Sequence, residues 1–332
     1  MKLGSNLRGH LLLKMALAMT VLTVSSFSYA QKIDYPTKPI HIIVTFPPGG
    51  SSDAMVRQLV PRLSERLGQQ VVIENKPGAG GNIGLTALAK AAPDGYTLAV
   101  AAAGALSANV SLYPQMPFDP IKDIKPITMM ATIPFVLVGN PSLPAKNIGQ
   151  LLAMLKLNPE NYSIAHGGNG TAMHLTSALF NQMANTKIVE VPYRGTGPAV
   201  VDVLAGQVPL GIADLPSSLQ QIKSGKLIAY AVTSAKRLEV LPDVPTLNEA
   251  GLKGYESVGW FGIVAPAGTP TPIVNLLNKE ITATLNEEAV KASLRNLGLE
   301  SSPSTVAAFE AYIKSEIVKS AEVIKFAKIK LD

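Results

Sequence analysis

The feature that most constrains the fold is an alternation of short β-branched runs with longer helical patterns. From residue 40 the chain reads IHIIVTF, AMVRQLVPRLSERLG, VVIEN, NIGLTALAKAAP and YTLAVAAAG. Strands that alternate with helices of about 10 to 15 residues indicate a parallel sheet with helices on both faces. Apolar runs without period-2 alternation are typical of strands that are buried on both sides. The pattern therefore predicts the α/β class.

The same alternation restarts in the second half of the chain. The predicted strands there are YSIAHG, IVEVPY, VPLGIAD and LIAYAVTS, with helices from about residues 171 and 198 and over SSLQQIKSG. Two extended stretches, ITMMATIPFVLVGNP and GWFGIVAPAGTP, predict two crossings between α/β bodies, and two long helices follow, about 270–296 and 303–328. We expect domain I to comprise residues 31–131 and 258–332, and domain II residues 132–257.

The first 30 residues have the composition of an export signal. Lys2, Arg8 and Lys14 make a positive start, MALAMTVLTV is a short apolar run, and SYA is a small-x-small cleavage site that ends at Ala30. We predict cleavage after Ala30 and a periplasmic product. A retained membrane anchor is the alternative, which is weakened because no later stretch is apolar enough to span a bilayer.

Composition excludes several function classes. The absence of cysteine removes disulfides, thiolate zinc sites and the acylation site of a lipoprotein. The net charge of +6 includes three charges of the signal segment, and the remaining +3 is too small to indicate a nucleic-acid or membrane-surface partner. HExxH and G-x-S-x-G are absent, and GAGGNIG has no acidic residue after the next strand to bind a ribose. We therefore predict no cofactor, no metal and no nucleic-acid partner.

Six strand-to-helix turns are unusually small and polar. They are PPGGSSD, NKPGAGGNIG, AAGALS, HGGNGT, YRGTG and ADLPSS. Ligands of open α/β sheets bind beyond the carboxyl ends of the strands, so these turns predict the two walls of a cleft. The first turn, residues 47–53, lacks the Gly-Lys-Ser/Thr of a phosphate loop. It is either a capped helix start or a place where free N–H groups and the helix dipole receive another anion.

Several polar side chains in these turns allow two interpretations. His166 and His174 flank the HGGNGT turn and are either structural residues or a base or metal ligand. Arg194 either binds an acidic ligand or pairs with Asp214, and Asp214 either caps a helix or contacts the ligand. Residues with the same ambiguity are Asn169 and Thr171.

The stretches at these turns, taken together, point to one family. YPTKPIHIIVTFPPGGSSD, VVIENKPGAGGNIG, APDGYTL, GNGTAMHL, VPYRGTGPAVVDVLAGQV, LPSSL and GWFGIVAPAGTP cover nearly all of the chain after the signal segment. In this order they resemble the solute-binding receptors of tripartite tricarboxylate transporters, often called Bug or TctC proteins. The resemblance implies a two-domain type II periplasmic-binding-protein fold that closes like a clamshell on an organic carboxylate and performs no chemistry.

The resemblance also implies roles for individual turns. The PPGGSSD turn is expected to supply backbone N–H groups and water-mediated contacts to one carboxylate, and the GNGT turn backbone and hydroxyl donors from the other domain. Many relatives have FDNLPSS where this chain has Ile212-Ala213-Asp214-Leu215, and the smaller Ala213 is expected to enlarge the floor of the cleft. The candidate ligand-binding residues are Phe46, Pro48, Gly49, Gly50, Ser51, Ala102, Gly104, His166, Gly168, Asn169, Gly170, Thr171, Arg194 and Asp214.

The predicted function is capture of a small mono- or dicarboxylate, aliphatic or aromatic, in the cleft between the domains. The predicted partners are the membrane permease subunits of a tripartite tricarboxylate transporter, and the receptor is expected to be a monomer. Two alternatives stay open. One is an exported hydrolase on the same scaffold that uses His166 or His174. The other is a ligand-loaded messenger that docks to a membrane sensor kinase.

Overall fold

The structure is a computed structural model that describes residues 34–330. The predicted signal peptide and its cleavage site lie outside these residues. No helix in the described range is long and apolar enough to cross a membrane. Contacts group Pro36–Asp332 into one compact unit, so the boundary between two domains stays a prediction.

Strands and helices follow one another in nearly the predicted order. The strands are β1 (Ile40–Val44), β2 (Val71–Asn75), β3 (Thr97–Ala102), β4 (Ile124–Gly139), β5 (Ser163–His166), β6 (Val189–Pro192), β7 (Leu210–Asp214), β8 (Ile228–Val232), β9 (Val258–Pro266) and β10 (Glu300–Ser301). The α-helices are α1 (Ser51–Leu67), α2 (Asn82–Ala89), α3 (Asn109–Leu112), α4 (Ile148–Leu157), α5 (Ala172–Ala184), α6 (Thr196–Leu204), α7 (Leu215–Lys223), α8 (Thr271–Asn286), α9 (Glu288–Asn296) and α10 (Val306–Ala327). A π-helical turn, Gly104–Ala108, precedes α3.

The sheet is mixed, whereas the alternation predicted a parallel one. Its order in the described residues is β2-β1-β3-β9-β4-β7-β5-β6, with β8 and β10 also paired to β4. β1 is parallel to β2 and β3, and β5 is parallel to β6 and β7. β9 runs antiparallel to both β3 and β4, and β4 is antiparallel to β7 and β8. Two parallel groups are thus joined by an antiparallel pair.

The two predicted crossings form that pair. β4 and β9 lie side by side from Ile124↔Pro266 to Pro134↔Val258. The last part of β4, from Phe135 to Gly139, pairs instead with β7 and β8. One strand therefore belongs to both halves of the sheet, and its partner changes directly after Pro134.

The helix predicted over residues 270–296 is interrupted. Glu287 has extended backbone angles and separates α8 from α9. Its carboxylate oxygens receive hydrogen bonds from Arg62 at 2.8 Å and Arg66 at 3.4 Å, both on α1. The sequence contains no proline or glycine near Glu287, so local pattern does not predict the break between α8 and α9. The contact with α1 occurs at this break.

Two apolar clusters hold the strand ends in place. One packs α2, the π-helical turn and α10 on the first parallel group and contains Ile43, Leu85, Ala99, Trp260 and Phe309. The other packs α6 and α7 on the second group and contains Val136, Ala165, Val203, Ala213 and Leu219. Because these residues are buried, the turns at the carboxyl ends of the strands stand on rigid supports.

Candidate functional site

A pocket that is partly open to solvent lies where several of the polar turns meet. Of the candidate residues, those that line it are Phe46, Pro48, Gly49, Gly50, Ser51, Ala102, Thr171 and Arg194. Gly104 lines a smaller neighbouring pocket. Candidate residues that line neither pocket are His166, Gly168, Asn169, Gly170 and Asp214.

An apolar wall of the pocket was not predicted. Ile133 and Phe135 of β4 and Trp260 and Phe261 of β9 line it. Sequence reasoning treated these stretches only as crossings between two bodies. The signal available was their Pro/Gly-rich, aromatic composition beside the predicted cleft. Ala213 packs in the core with Val136 and is 1% exposed, so it does not enlarge the floor of the pocket as expected.

Three helix N-termini converge on the pocket. α1 begins after Gly50 and α6 after Gly195, both without a side-chain cap, and α5 begins after Thr171. Among the described residues that line the pocket, the N–H groups at these helix starts without a hydrogen-bond acceptor are those of Ser51, Ser52, Ala172, Met173, Thr196 and Gly197. Each helix start carries roughly half a positive charge, so together they favour an anion at this place.

The first turn is held in shape by a buried carboxylate. Asp53 accepts hydrogen bonds from the Gly49 N–H at 3.0 Å, from Arg57 at 2.9 and 3.0 Å, and from Asn75 at 3.2 Å. Burial alone would raise the pKa of Asp53, but these hydrogen bonds outweigh it and lower the pKa. The Gly49 N–H is therefore engaged within the turn, and the free donors begin at Ser51.

Asp214 is fully buried and caps a helix. Its Oδ1 accepts from the Ser217 N–H at 3.0 Å, at the start of α7. Its Oδ2 accepts from the hydroxyls of Ser51 at 2.8 Å and Thr196 at 2.9 Å, which both line the pocket. The carboxylate thus supports the pocket from behind and joins the starts of α1, α6 and α7.

Arg194 is the only charged side chain among the described residues that line the pocket. It is exposed, and no ion pair between it and Asp214 exists in the described part of the chain. Arg194 therefore lines the same open pocket as the three helix starts, with no ion pair in the described part of the chain.

His166 and His174 form a buried stack behind the pocket. Their ring centroids are 4.9 Å apart with an interplanar angle of 10°. Each Nδ1 accepts a backbone N–H, from Gly168 at 3.2 Å and from Gly170 at 3.3 Å. Burial, with a smaller contribution from His174, lowers the pKa of His166 to about 3, and burial also lowers the pKa of His174. Both rings are therefore neutral near pH 7 and hold the shape of the turn.

The hydroxyl of Thr171 is also engaged within its own turn. It donates to the Gly168 carbonyl at 2.7 Å and accepts from the His174 N–H at 3.3 Å as the cap of α5. The hydroxyl donor that the resemblance assigns to this turn is thus occupied. The free donors at this wall are the N–H groups of Ala172 and Met173.

A family model described as "Tripartite tricarboxylate transporter family receptor", TctC, matches residues 55–329. The chain belongs to the TctC family. The prediction made from the turn motifs is confirmed.

Individual relatives of this TctC chain cover nearly all of it. BugT of Bordetella pertussis is 39% identical over 298 residues, which are 90% of this chain and 91% of BugT. The structure of R. palustris Rpa4515 with adipate is 35% identical, with a TM-score of 0.87, over 90% of this chain and 99% of that one. The structure of MatC (Rpa3494) from Rhodopseudomonas palustris with bound malate is 32% identical, with a TM-score of 0.83, over 87% of this chain and 100% of MatC. These likenesses confirm the α/β fold of TctC-type periplasmic binding proteins.

Proposed function

We propose that this TctC-family protein is a periplasmic receptor that captures a small organic carboxylate and delivers it to the membrane subunits of a tripartite tricarboxylate-type transporter. The convergence of three helix N-termini and Arg194, which forms no ion pair within the described residues, on a single pocket carries the proposal. Free N–H groups hold a carboxylate by charge-assisted hydrogen bonds, without a buried counter-ion that would slow its release.

The apolar wall supports a ligand with a hydrocarbon body. Ile133, Phe135, Trp260 and Phe261 face the pocket and can bury methylene groups or an aromatic ring. Rpa4515 with adipate and MatC with malate show that two relatives hold such carboxylates. Closure of two domains on the ligand, residues 31–131 with 258–332 against residues 132–257, is part of the proposal, as are cleavage after Ala30 and a monomeric receptor.

The buried histidines argue against the exported hydrolase. A general base needs a pKa near the working pH and access to the substrate. His166 has a pKa of about 3 and is 0% exposed, and its Nδ1 lone pair accepts the Gly168 N–H. The messenger to a sensor kinase shares the same pocket and differs only in the membrane partner.

The test uses the purified mature protein and a panel that contains succinate, adipate, malate and benzoate. We expect at least one member to raise the melting temperature and to bind with a Kd near micromolar, about −8 kcal/mol, without being consumed. Calorimetry measures the affinity, and chromatography of the ligand after incubation measures its consumption. Consumption of any member would show an enzyme in place of a pure receptor, and the absence of stabilisation by every member would overturn the proposal.

Replacement of the pocket's one charged side chain should weaken binding moderately. Arg194→Gln keeps the length of the side chain but removes its charge, and we expect affinity for the best carboxylate of the panel to fall roughly 3- to 10-fold. The salt dependence of binding should become shallower, because less charge is screened. Arg237→Gln, which removes an exposed pair with Glu249 away from the pocket, is the matched control. Equal affinity and equal salt dependence in the Arg194 variant would show that this guanidinium does not contact the ligand.

A further inference from the structure

Three hydroxyl groups at the pocket have already donated their protons to the protein. The Ser51 and Thr196 hydroxyls donate to Asp214 Oδ2 at 2.8 and 2.9 Å. The Thr171 hydroxyl donates to the Gly168 carbonyl at 2.7 Å. A hydroxyl has one proton and two lone pairs, so towards a ligand in the pocket that these residues line, each group can act only as a hydrogen-bond acceptor.

Asp214 fixes the direction of the hydrogen bonds that the Ser51 and Thr196 hydroxyls donate. Its side chain is 0% exposed, and an ionised carboxylate only accepts hydrogen bonds. The Ser217 N–H and the N-terminus of α7 stabilise its negative charge. The Met173 sulfur, 3.3 Å from the Thr196 hydroxyl, is a much weaker acceptor than the carboxylate and does not compete for the proton.

The remaining hydroxyl in the pocket wall does not change this pattern. Ser52 lines the pocket through other atoms, but its Oγ is buried and has no hydrogen-bond partner in the described residues. Among the described lining residues, the available donors are therefore backbone N–H groups and Arg194, and the side-chain acceptors are the hydroxyl oxygens of Ser51, Thr171 and Thr196.

Donor and acceptor lie close together at two helix starts. Ser51 and Thr196 each carry a free backbone N–H and a hydroxyl that can only accept. The two groups of one residue are only a few ångströms apart. A carboxylate on the N–H groups therefore brings the substituent of its neighbouring carbon to the hydroxyl oxygens.

We propose that the pocket selects carboxylates with a hydrogen-bond donor, a hydroxyl or an ammonium group, on the carbon next to the carboxylate, and that it disfavours 2-oxo carboxylates. The inference rests on the proposed function, because it assumes that the pocket binds a carboxylate. A 2-oxo oxygen only accepts, so it would face the oxygens of Ser51 and Thr196 without a proton between them.

Two series of probes with constant skeletons test the selection. One consists of glutarate, 2-hydroxyglutarate, glutamate and 2-oxoglutarate, and the other of 3-phenylpropanoate, its 2-hydroxy and 2-amino derivatives and phenylpyruvate. In the series that fits the pocket, we expect the 2-hydroxy or 2-amino member to bind about 3- to 10-fold more tightly than the unsubstituted one. The 2-oxo member should be the weakest. The order of the hydroxy and amino members tells which donor is preferred.

Variants connect the preference to the hydroxyls. Ser51→Ala and Thr196→Val each remove one acceptor, so the affinity ratio of the donor-bearing member to the unsubstituted member should fall toward 1. In Asp214→Asn the amide N–H can donate to the hydroxyl of Ser51 or Thr196. The O–H of that residue is then available as a donor to the ligand, so the 2-oxo member should gain affinity relative to the others. Ser218→Ala is the matched control, because its hydroxyl donates to the backbone carbonyl of Asp214 at 2.6 Å and lies outside the pocket.

The outcomes separate this inference from the proposed function. Measurable but equal binding of all four members of the series that fits the pocket, which is the series that binds more tightly, would overturn the selection and leave the carboxylate receptor intact. An unchanged ratio in both Ser51→Ala and Thr196→Val would also overturn it. Failure of every carboxylate in both series to bind would overturn the proposed function, and the selection with it.

Discussion

Acidification from pH 7.5 to 4.5 should cost the folded protein about 2 to 3 kcal/mol through His166 alone. The pKa of this ring is lowered from 6.5 to about 3, chiefly by burial. Below pH 6.5 the unfolded chain takes up a proton that the folded chain does not accept until about pH 3. The contribution of His166 to the free energy of unfolding is therefore fully present above pH 6.5. It is lost as the pH falls, at about 1.4 kcal/mol per pH unit. The lowered pKa of His174 acts in the same direction.

Urea unfolding of the wild type and His166→Asn at several pH values from 7.5 to 4.5 measures this contribution. Asparagine can still accept the Gly168 N–H, so the turn should persist while the titrating ring is gone. The variant should be less stable than the wild type at pH 7.5. On acidification to pH 4.5, its free energy of unfolding should fall by about 2 to 3 kcal/mol less than that of the wild type. Glu190, whose pKa burial raises, opposes the trend equally in both proteins. His41→Asn, at an exposed position of β1, is the control, and parallel curves for wild type and His166→Asn would refute the assignment.

Gly104→Ala should reduce ligand affinity by about 100-fold or more. A methyl group on Gly104 would overlap the carbonyl oxygen of Gly170 and lie 2.9 Å from the Cα of Thr171. Both are backbone atoms and cannot turn aside, so the 168–171 turn must move away. That turn carries the N-terminus of α5 at the pocket, and the contact lies between the two proposed domains. Binding should therefore fall more than stability, which we expect to decrease by about 1 to 3 kcal/mol.

Calorimetry with the best carboxylate of the panel, together with melting curves, separates the two effects. Gly149→Ala in α4 is the matched control, because the added methyl group there meets only Asn147 Oδ1 at 3.4 Å. Wild-type affinity in Gly104→Ala would show that the turn can shift without disturbing the pocket. A loss of affinity that merely follows a loss of folded protein at the assay temperature would assign Gly104 a role in folding only.

Local sequence was sufficient to predict most strands and helices and the polar turns between them. VVIEN is a strand over the predicted residues, the start of α1 follows the predicted Pro/Gly turn, and the start of α7 follows the predicted cap Asp214. Such features depend on backbone preferences and on hydrogen bonds between near neighbours. For the same reason, the polar turns that line the pocket could be named before the structure was known.

The features that sequence missed depend on distant contacts. The direction of β9 is set by its position between β3 and β4, and an extended apolar run looks alike in a parallel and an antiparallel sheet. The apolar wall of the pocket comes from these same two strands. Asp214 was recognised as a possible cap, but its hydrogen bonds to Ser51 and Thr196 join three turns that are far apart in the sequence.

The place of β9 in the sheet also bears on when the chain folds. β3 is next to β1 on one side, but its other neighbour is β9, with Ala99 opposite Val264. During synthesis β3 is therefore made long before its neighbour β9. Pairing between strands so far apart in the sequence is slow to form. A chain that is exported unfolded, as we propose for this one, must not complete its folding before it has crossed the membrane. Because β3 pairs with β9, we expect the N-terminal part to complete its sheet only after residues 258–266 are available, which favours late folding.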